Sequence, residues 1–305
     1  MRVDFTKAAH QAMGRDEKSI FITGDLGYNA LEQIASEFPK RFLNAGVAEQ
    51  NMIGVAAGMA LTGMRPWVYS IAPFTTFRCL EQIRNDVCLH RLPVRIVGNG
   101  GGYTYGIMGS THHALEDIAV LKALPNLKLY FPGTNDQVAA AVEQISRLEG
   151  PSYLRLAISG FASTATPLSE NGQTLTRHYA KGSSVTVIGV GHAVQIALTA
   201  LQKNDLASHD VDVFGICRYP FDLDTDKTLL DSIRKTGRVL VIEEHYQPGS
   251  IAESLALELP RTQAFVAMTA RYAPEQSYGS SQYHLKQSGL TPEALIEAVK
   301  RLKKG

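Results

Sequence analysis

The chain predicts a two-domain α/β protein, the first domain a parallel sheet flanked by helices and the second a smaller α/β unit. Three observations carry this. Short β-branched runs bounded by glycine alternate with longer amphipathic segments almost from end to end, which is the pattern of strands joined by helical crossovers. The alternation lapses once, between Ser159 and Gly182, where small polar and turn residues dominate. With 305 residues, 45% of them hydrophobic, the chain is long enough to bury two cores. The expected limits are residues 1–165 for the first domain, 166–182 for a linker and 183–305 for the second domain.

In the first domain strands are expected near Ser19 to Thr23, Trp67 to Ile71, Val94 to Val97, Leu127 to Phe131 and Tyr153 to Ala157. Helices are expected near Asp4 to Met13, Val47 to Thr62, Thr76 to His90, Ala114 to Leu124 and Asn135 to Leu148. The second series runs Val185 to Val190, a helix from about Ala193 to Gln202, Val211 to Ile216, a helix around Lys227 to Lys235, and Val239 to Glu243. A helix starting near Gly249, a strand over Ala264 to Met268 and a terminal helix follow. Thr291 as N-cap with Pro292 at the first helical position opens that last helix.

Thirty basic against twenty-nine acidic residues leave a net charge of +1, which argues against global affinity for nucleic acid or an anionic membrane. Cys79, Cys88 and Cys217 have neither paired nor metal-ligand spacing, and no apolar signal segment opens the chain, so a cytoplasmic protein is expected. No apolar run reaches transmembrane length.

The stretch Asn44-Ala45-Gly46-Val47-Ala48-Glu49-Gln50 brings a single carboxylate to the start of a helix unusually rich in glycine. Each interior glycine costs roughly 1 kcal/mol relative to alanine, so close approach of a backbone or ligand is the expected compensation; a plain packing helix with Glu49 at its edge is the other reading. Gly24-Asp25-Leu26-Gly27 follows the first strand, where open α/β sheets bind ligands, yet it lacks the dinucleotide spacing and reads equally as a turn capped by Asp25. Five glycines in the nine residues Gly98 to Gly106 allow either a loop whose N–H groups approach a ligand or a merely flexible one. His112 and His113 precede a helix without a third suitably spaced metal ligand, leaving proton transfer or hydroxyl binding against exposed capping. Phe74, Phe77 and Arg78 follow the Trp67 to Ile71 strand and offer aromatic faces beside a guanidinium, or simple core packing. Arg155 lies in an otherwise apolar strand, so it either emerges into a cleft, where phosphate or carboxylate binding fits, or pairs with an acid.

Taken in order, Gly24-Asp25-Leu26, Gly46-Val47-Ala48-Glu49-Gln50, Glu81-Gln82-Ile83-Arg84, Gly109-Ser110-Thr111-His112-His113, Leu124-Pro125-Asn126, Pro132-Gly133-Thr134-Asn135 and Val187-Ile188-Gly189-Val190-Gly191 resemble the C-terminal two-thirds of transketolase and of 1-deoxyxylulose-5-phosphate synthase. The resemblance covers nearly the whole chain. It implies a pyrimidine-binding domain followed by a transketolase C-terminal domain, and thiamine diphosphate as cofactor. The family's diphosphate-binding motif, Gly-Asp-Gly followed by an asparagine, occurs nowhere in the sequence. The resemblance therefore implies a partner, an N-terminal transketolase subunit that holds the diphosphate and a Mg2+ or Ca2+ ion, in an α2β2 assembly.

By the same resemblance Glu49 shares a proton with a ring nitrogen of the aminopyrimidine and favours its imino tautomer. Asp25 and Leu26 lie near the cofactor, and Phe74 and Phe77 flank the pyrimidine. His112 meets substrate oxygens, while Arg155 and Arg78 bind the substrate's anionic end. The implied reaction moves a two-carbon ketol unit from a ketose, expected to be a sugar phosphate, to an aldose. Met108 stands where transketolases carry an aspartate and cannot accept a bond from a sugar hydroxyl, which points to a less usual ketose or aldose. The beta subunit of a 2-oxo-acid dehydrogenase complex, a deoxyxylulose-phosphate synthase-like half and a non-catalytic scaffold rank behind this reading.

Overall fold

The computed structural model describes residues 1–157, 165–202, 210–259, 263–272 and 278–304, and these fall into two compact units. The first comprises residues 1–104, 111–130 and 135–158, the second residues 105–110, 131–134 and 159–305.

In the first unit the β-branched and aromatic runs become β1 (Ser19–Thr23), β2 (Phe42–Asn44), β3 (Arg65–Ile71), β4 (Arg95–Asn99), β5 (Lys128–Tyr130) and β6 (Ser152–Leu156). They pair in the order β5-β6-β4-β3-β1-β2, every pairing parallel. β1, β4 and β6 are buried at every position, as strands covered on both faces must be. The helices that cover them are α1 (Arg2–Arg15), α2 (Glu32–Glu37), α3 (Glu49–Leu61), α4 (Ala72–Thr75), α5 (Leu80–Gln82), α6 (Asp117–Lys122) and α7 (Gln137–Ser146). β1 has β2 on one side and β3 on the other, with Thr23 in register with both Asn44 and Tyr69. The winding direction reverses there, so a crevice opens beyond the carboxyl ends of β1, β2 and β3.

The single helix expected over Thr76 to His90 is broken. Pro73 sits in the first turn of α4, and the hydroxyls of Thr75 and Thr76 donate back to the Ala72 carbonyl at 3.2 and 2.7 Å, local bonds that compete with helix propagation. α5 then runs into a π-helical turn over Ile83–Cys88. The break leaves Phe74 half-buried and Arg78 exposed at the mouth of the crevice rather than inside a continuous helix.

In the second unit the strands are β7 (Ser169–Glu170), β8 (Arg177–Ala180), β9 (Val185–Val190), β10 (Val211–Ile216), β11 (Arg218–Tyr219), β12 (Arg238–Tyr246) and β13 (Ala264–Ala270). One sheet runs β13-β12-β9-β10-β8-β7, its first four members parallel and β8 and β7 added antiparallel. The stretch 166–182, expected as a linker, thus contributes two short strands to this sheet. Its helices are α8 (Val194–Gln202), α9 (Lys227–Thr236), α10 (Ile251–Glu258), α11 (Ser281–Gln287) and α12 (Pro292–Lys304). α12 starts as expected, with Thr291 Oγ1 accepting from the Ala294 N–H at 3.2 Å and Leu295, Val299 and Leu302 turned inward. Among the described residues no helix is long and apolar enough to cross a membrane.

Candidate functional site

Glu49 is the first residue of α3, where the helix N-terminus favours a carboxylate, yet only 2% of it is exposed. Both of its oxygens are bonded. Ser70, near the end of β3, donates its hydroxyl to Oε1 at 3.0 Å, and Arg78 donates Nη1 to Oε2 at 2.6 Å. The Arg78 guanidinium lies over the ring of Phe74, its Cζ 4.3 Å from the centroid, and the other edge of this cluster is His112, whose ring meets Phe74 edge-on at 5.2 Å. Thr111 Oγ1 stands 3.0 Å from His112 Nδ1. Four residues drawn from three separate stretches of sequence therefore meet at the crevice: a buried carboxylate, a planar cation, an aromatic face and an imidazole.

The approach of β1 to this cluster depends on Gly24. A methyl group there would stand 3.2 Å from Ser70 Oγ and 3.4 Å from Glu49 Oε1, so a larger residue would push on the bonded carboxylate. The next residue, Asp25, adopts a φ of +56°, which a short polar side chain tolerates. Asn44 ties that turn to the start of α3: its Oδ1 accepts from the N–H groups of Asp25 and Gly46 at 3.1 and 2.9 Å, and its Nδ2 donates to Asp25 Oδ1 at 2.8 Å. The Leu26 carbonyl accepts from Thr23 Oγ1 at 2.7 Å. Asp25, Leu26 and Asn44 line a cleft of about 160 Å3 together with Tyr28, Leu31 and Phe42. Cys79 is buried beside the cluster, and burial, reinforced by the Glu49 charge, pushes its thiol up to about 12.

Ser70 has no role in the sequence reading, and Gly24 and Asn44 stand within their quoted motifs without a task for either. Their shared signal is position, since each lies at or beside the carboxyl end of a strand. Of the two phenylalanines, Phe74 carries Arg78 and His112, while Phe77 is 37% exposed.

Arg155 requires a correction. Of its two possible fates the structure takes pairing with an acid: it is 3% exposed, its Nε donates to Asp117 Oδ2 at 3.0 Å and its Nη2 to the Ala114 carbonyl at 2.8 Å. Tyr153 donates its hydroxyl to the same Asp117 oxygen at 2.7 Å. A guanidinium sealed in this way is not placed to meet a substrate anion. The cluster also explains the glycine-rich loop. A methyl group on Gly98 would lie 2.5 Å from the Tyr153 hydroxyl, and one on Gly101 would overlap the Arg155 side chain. The loop's N–H groups are committed as well, those of Gly100 and Gly101 to the Leu156 carbonyl at 2.8 and 2.9 Å and that of Gly102 to Ala114 at 2.9 Å. Gly98 and Gly101 are there to admit side chains, Gly100 and Gly102 hold φ of +85° and +65°, and these committed N–H groups favour neither of the two readings of the loop, ligand cradle or flexible connection. In the second unit, Met108 is 45% exposed.

Comparison with known proteins agrees with the two-domain fold. Residues 1–159 match the family model described as transketolase, pyrimidine binding domain, and residues 174–296 match transketolase, C-terminal domain. An apulose-4-phosphate transketolase subunit of Phocaeicola vulgatus is 27% identical over 306 residues, covering 98% of this chain and 96% of that protein. A putative transketolase C-terminal section from Methanocaldococcus jannaschii is 33% identical over 250 residues, 79% of this chain and 75% of the other. Among solved structures, one described as a split gene transketolase, inactive beta4 tetramer, superposes with a TM-score of 0.84 at 28% identity, covering 99% of this chain and 98% of its own.

Proposed function

The chain belongs to the transketolase family, and from that premise we propose that it is the C-terminal subunit of a split, thiamine diphosphate-dependent transketolase that moves a two-carbon ketol unit between sugars. The observation that carries the reading is the buried Glu49 carboxylate holding a planar N–H donor against the Phe74 ring. An aminopyrimidine offers the same combination of a flat face and in-plane nitrogens, so the donor set fits the pyrimidine end of the cofactor. When bound, thiamine diphosphate supplies a carbon centre able to store the ketol fragment as a carbanion equivalent.

Within this chain Glu49 shares a proton with a pyrimidine ring nitrogen, and Ser70 fixes the carboxylate by holding Oε1. Phe74 would offer its face to the ring, and Asp25, Leu26 and Phe77 are the further residues that would hold the pyrimidine end. His112, half-buried at the edge of Phe74, bonds substrate oxygens, and Arg78 is the cation left for an anionic sugar terminus once Arg155 is committed to Asp117. A phosphorylated ketose is the substrate class, supported by a relative named for apulose-4-phosphate.

The diphosphate and its Mg2+ or Ca2+ ion fall to a partner chain, in an α2β2 assembly. This is supported by relatives whose names describe one transketolase subunit and one C-terminal section. It is supported also by the glycines of α3: a methyl group on Gly54 or Gly58 would meet nothing within 4 Å, so the close approach that would offset their helix cost is not made within the described chain. Three buried free cysteines suit a reducing cytoplasm.

The test is Glu49→Gln in the reconstituted assembly. Proton exchange at the cofactor C2 carbon, followed by NMR, should slow about a hundredfold or more while assembly is retained. Exchange at the wild-type rate would remove Glu49 from this role.

A further inference from the structure

Resting on that reading, we propose that Arg78 is a built-in occupant of the pyrimidine subsite, a latch that the aminopyrimidine must displace before Glu49 can engage it. The guanidinium already makes both contacts assigned to the ring. It is planar and lies 4.3 Å from the Phe74 centroid, and it directs one N–H at Glu49 Oε2 from 2.6 Å. One carboxylate oxygen and one aromatic face cannot serve the guanidinium and the ring together, so the two occupants exclude each other.

The partners differ in which of them can move. Arg78 has a side chain 41% exposed at the crevice mouth, whereas Glu49 is 2% exposed and keeps its second oxygen on Ser70. The broken helix after β3 supports the arrangement, because Arg78 lies between α4 and α5 and its long side chain reaches back over Phe74 from there. Displacement therefore swings an exposed arginine outward and leaves the carboxylate in place. It also exchanges a permanent cation for a neutral ring beside Glu49, the electrostatic change that proton sharing with a ring nitrogen needs. Once outside, the same guanidinium is free for an anionic group at the mouth, which couples cofactor binding to substrate recognition through one residue.

The latch predicts that Arg78 opposes binding of the pyrimidine. The probe is 4-amino-5-hydroxymethyl-2-methylpyrimidine, titrated by NMR into the full chain without a partner, since this fragment asks only for the surface that the chain itself provides. Arg78→Ala and Arg78→Met should each bind it about three- to fivefold tighter than wild type, the release expected from a partly exposed ion pair. The methionine variant retains an apolar stem on Phe74 and guards against local collapse. In the wild-type chain the Arg78 Nε–H resonance should shift on adding the fragment as the guanidinium leaves Phe74. Equal or weaker binding by both variants, or an unmoved Arg78 resonance at saturation, would overturn the latch. If Glu49→Gln slows cofactor C2 exchange while the Arg78 variants bind no tighter, the latch fails and the cofactor reading stands. If no chain binds the fragment and exchange is indifferent to Glu49, both fall.

Discussion

Replacing Arg155 by alanine separates the two fates that the sequence leaves open for it. In the structure the substitution removes, among others, the hydrogen bonds from Nε to Asp117 Oδ2 at 3.0 Å and from Nη2 to the Ala114 carbonyl at 2.8 Å. It leaves Asp117, a fully buried carboxylate, facing the Tyr153 hydroxyl without that counter-charge. Breaking one side of a buried ion pair costs about 3–5 kcal/mol, and for a unit of this size each kcal/mol moves the melting temperature by roughly 2–4 °C. Arg155→Ala should therefore lower the melting temperature by about 10 °C, measured by circular dichroism. The double variant Arg155→Ala with Asp117→Asn should recover part of the loss, because the stranded charge is gone. A variant that melts with wild type yet loses affinity selectively for phosphorylated sugars would refute the buried-cluster assignment and restore Arg155 to the substrate.

Two further predictions follow from buried or open surfaces. Gly58→Leu points into open space, so the isolated chain should fold with unchanged or slightly raised stability, while sedimentation of the reconstituted mixture should show assembly with the partner lost; normal assembly would mean that this face of α3 stays exposed. Burial raises the thiols of Cys79 and Cys88 from 9.0 to about 12, so between those values the folded chain keeps protons that the unfolded chain has lost. Stability should then fall as the pH rises above about 9, and Cys79→Ser should flatten the decline of the urea midpoint between pH 8 and 10.5; identical slopes would deny Cys79 its burial.

Much of the fold was legible because it rests on local pattern. β1, β9 and β10 run over the expected residues, since a strand buried on both faces announces itself as a run dominated by β-branched or aromatic residues, with Gly24 and Gly191 closing β1 and β9. The short pieces were not legible. β7 and β8 have two and four residues in a polar stretch, and β8 pairs not with β9, the next strand in sequence, but with the more distant β10. The break after Phe74 was visible only in hindsight, through two threonines whose hydroxyls return to one carbonyl.

The site divides along the same line. Sequence by itself identified Glu49, Phe74, Arg78 and His112 as chemistry-bearing residues at strand ends, and the family order gave each an expected task. Only the tertiary structure decided which of them touch. It set Arg78 on Glu49 and Phe74 on His112, and it sent Arg155 inward to Asp117. The physical reason is that residue type and spacing specify what a side chain can do, whereas partner choice depends on strand register and on the free space that Gly24, Gly98 and Gly101 leave between elements remote in sequence.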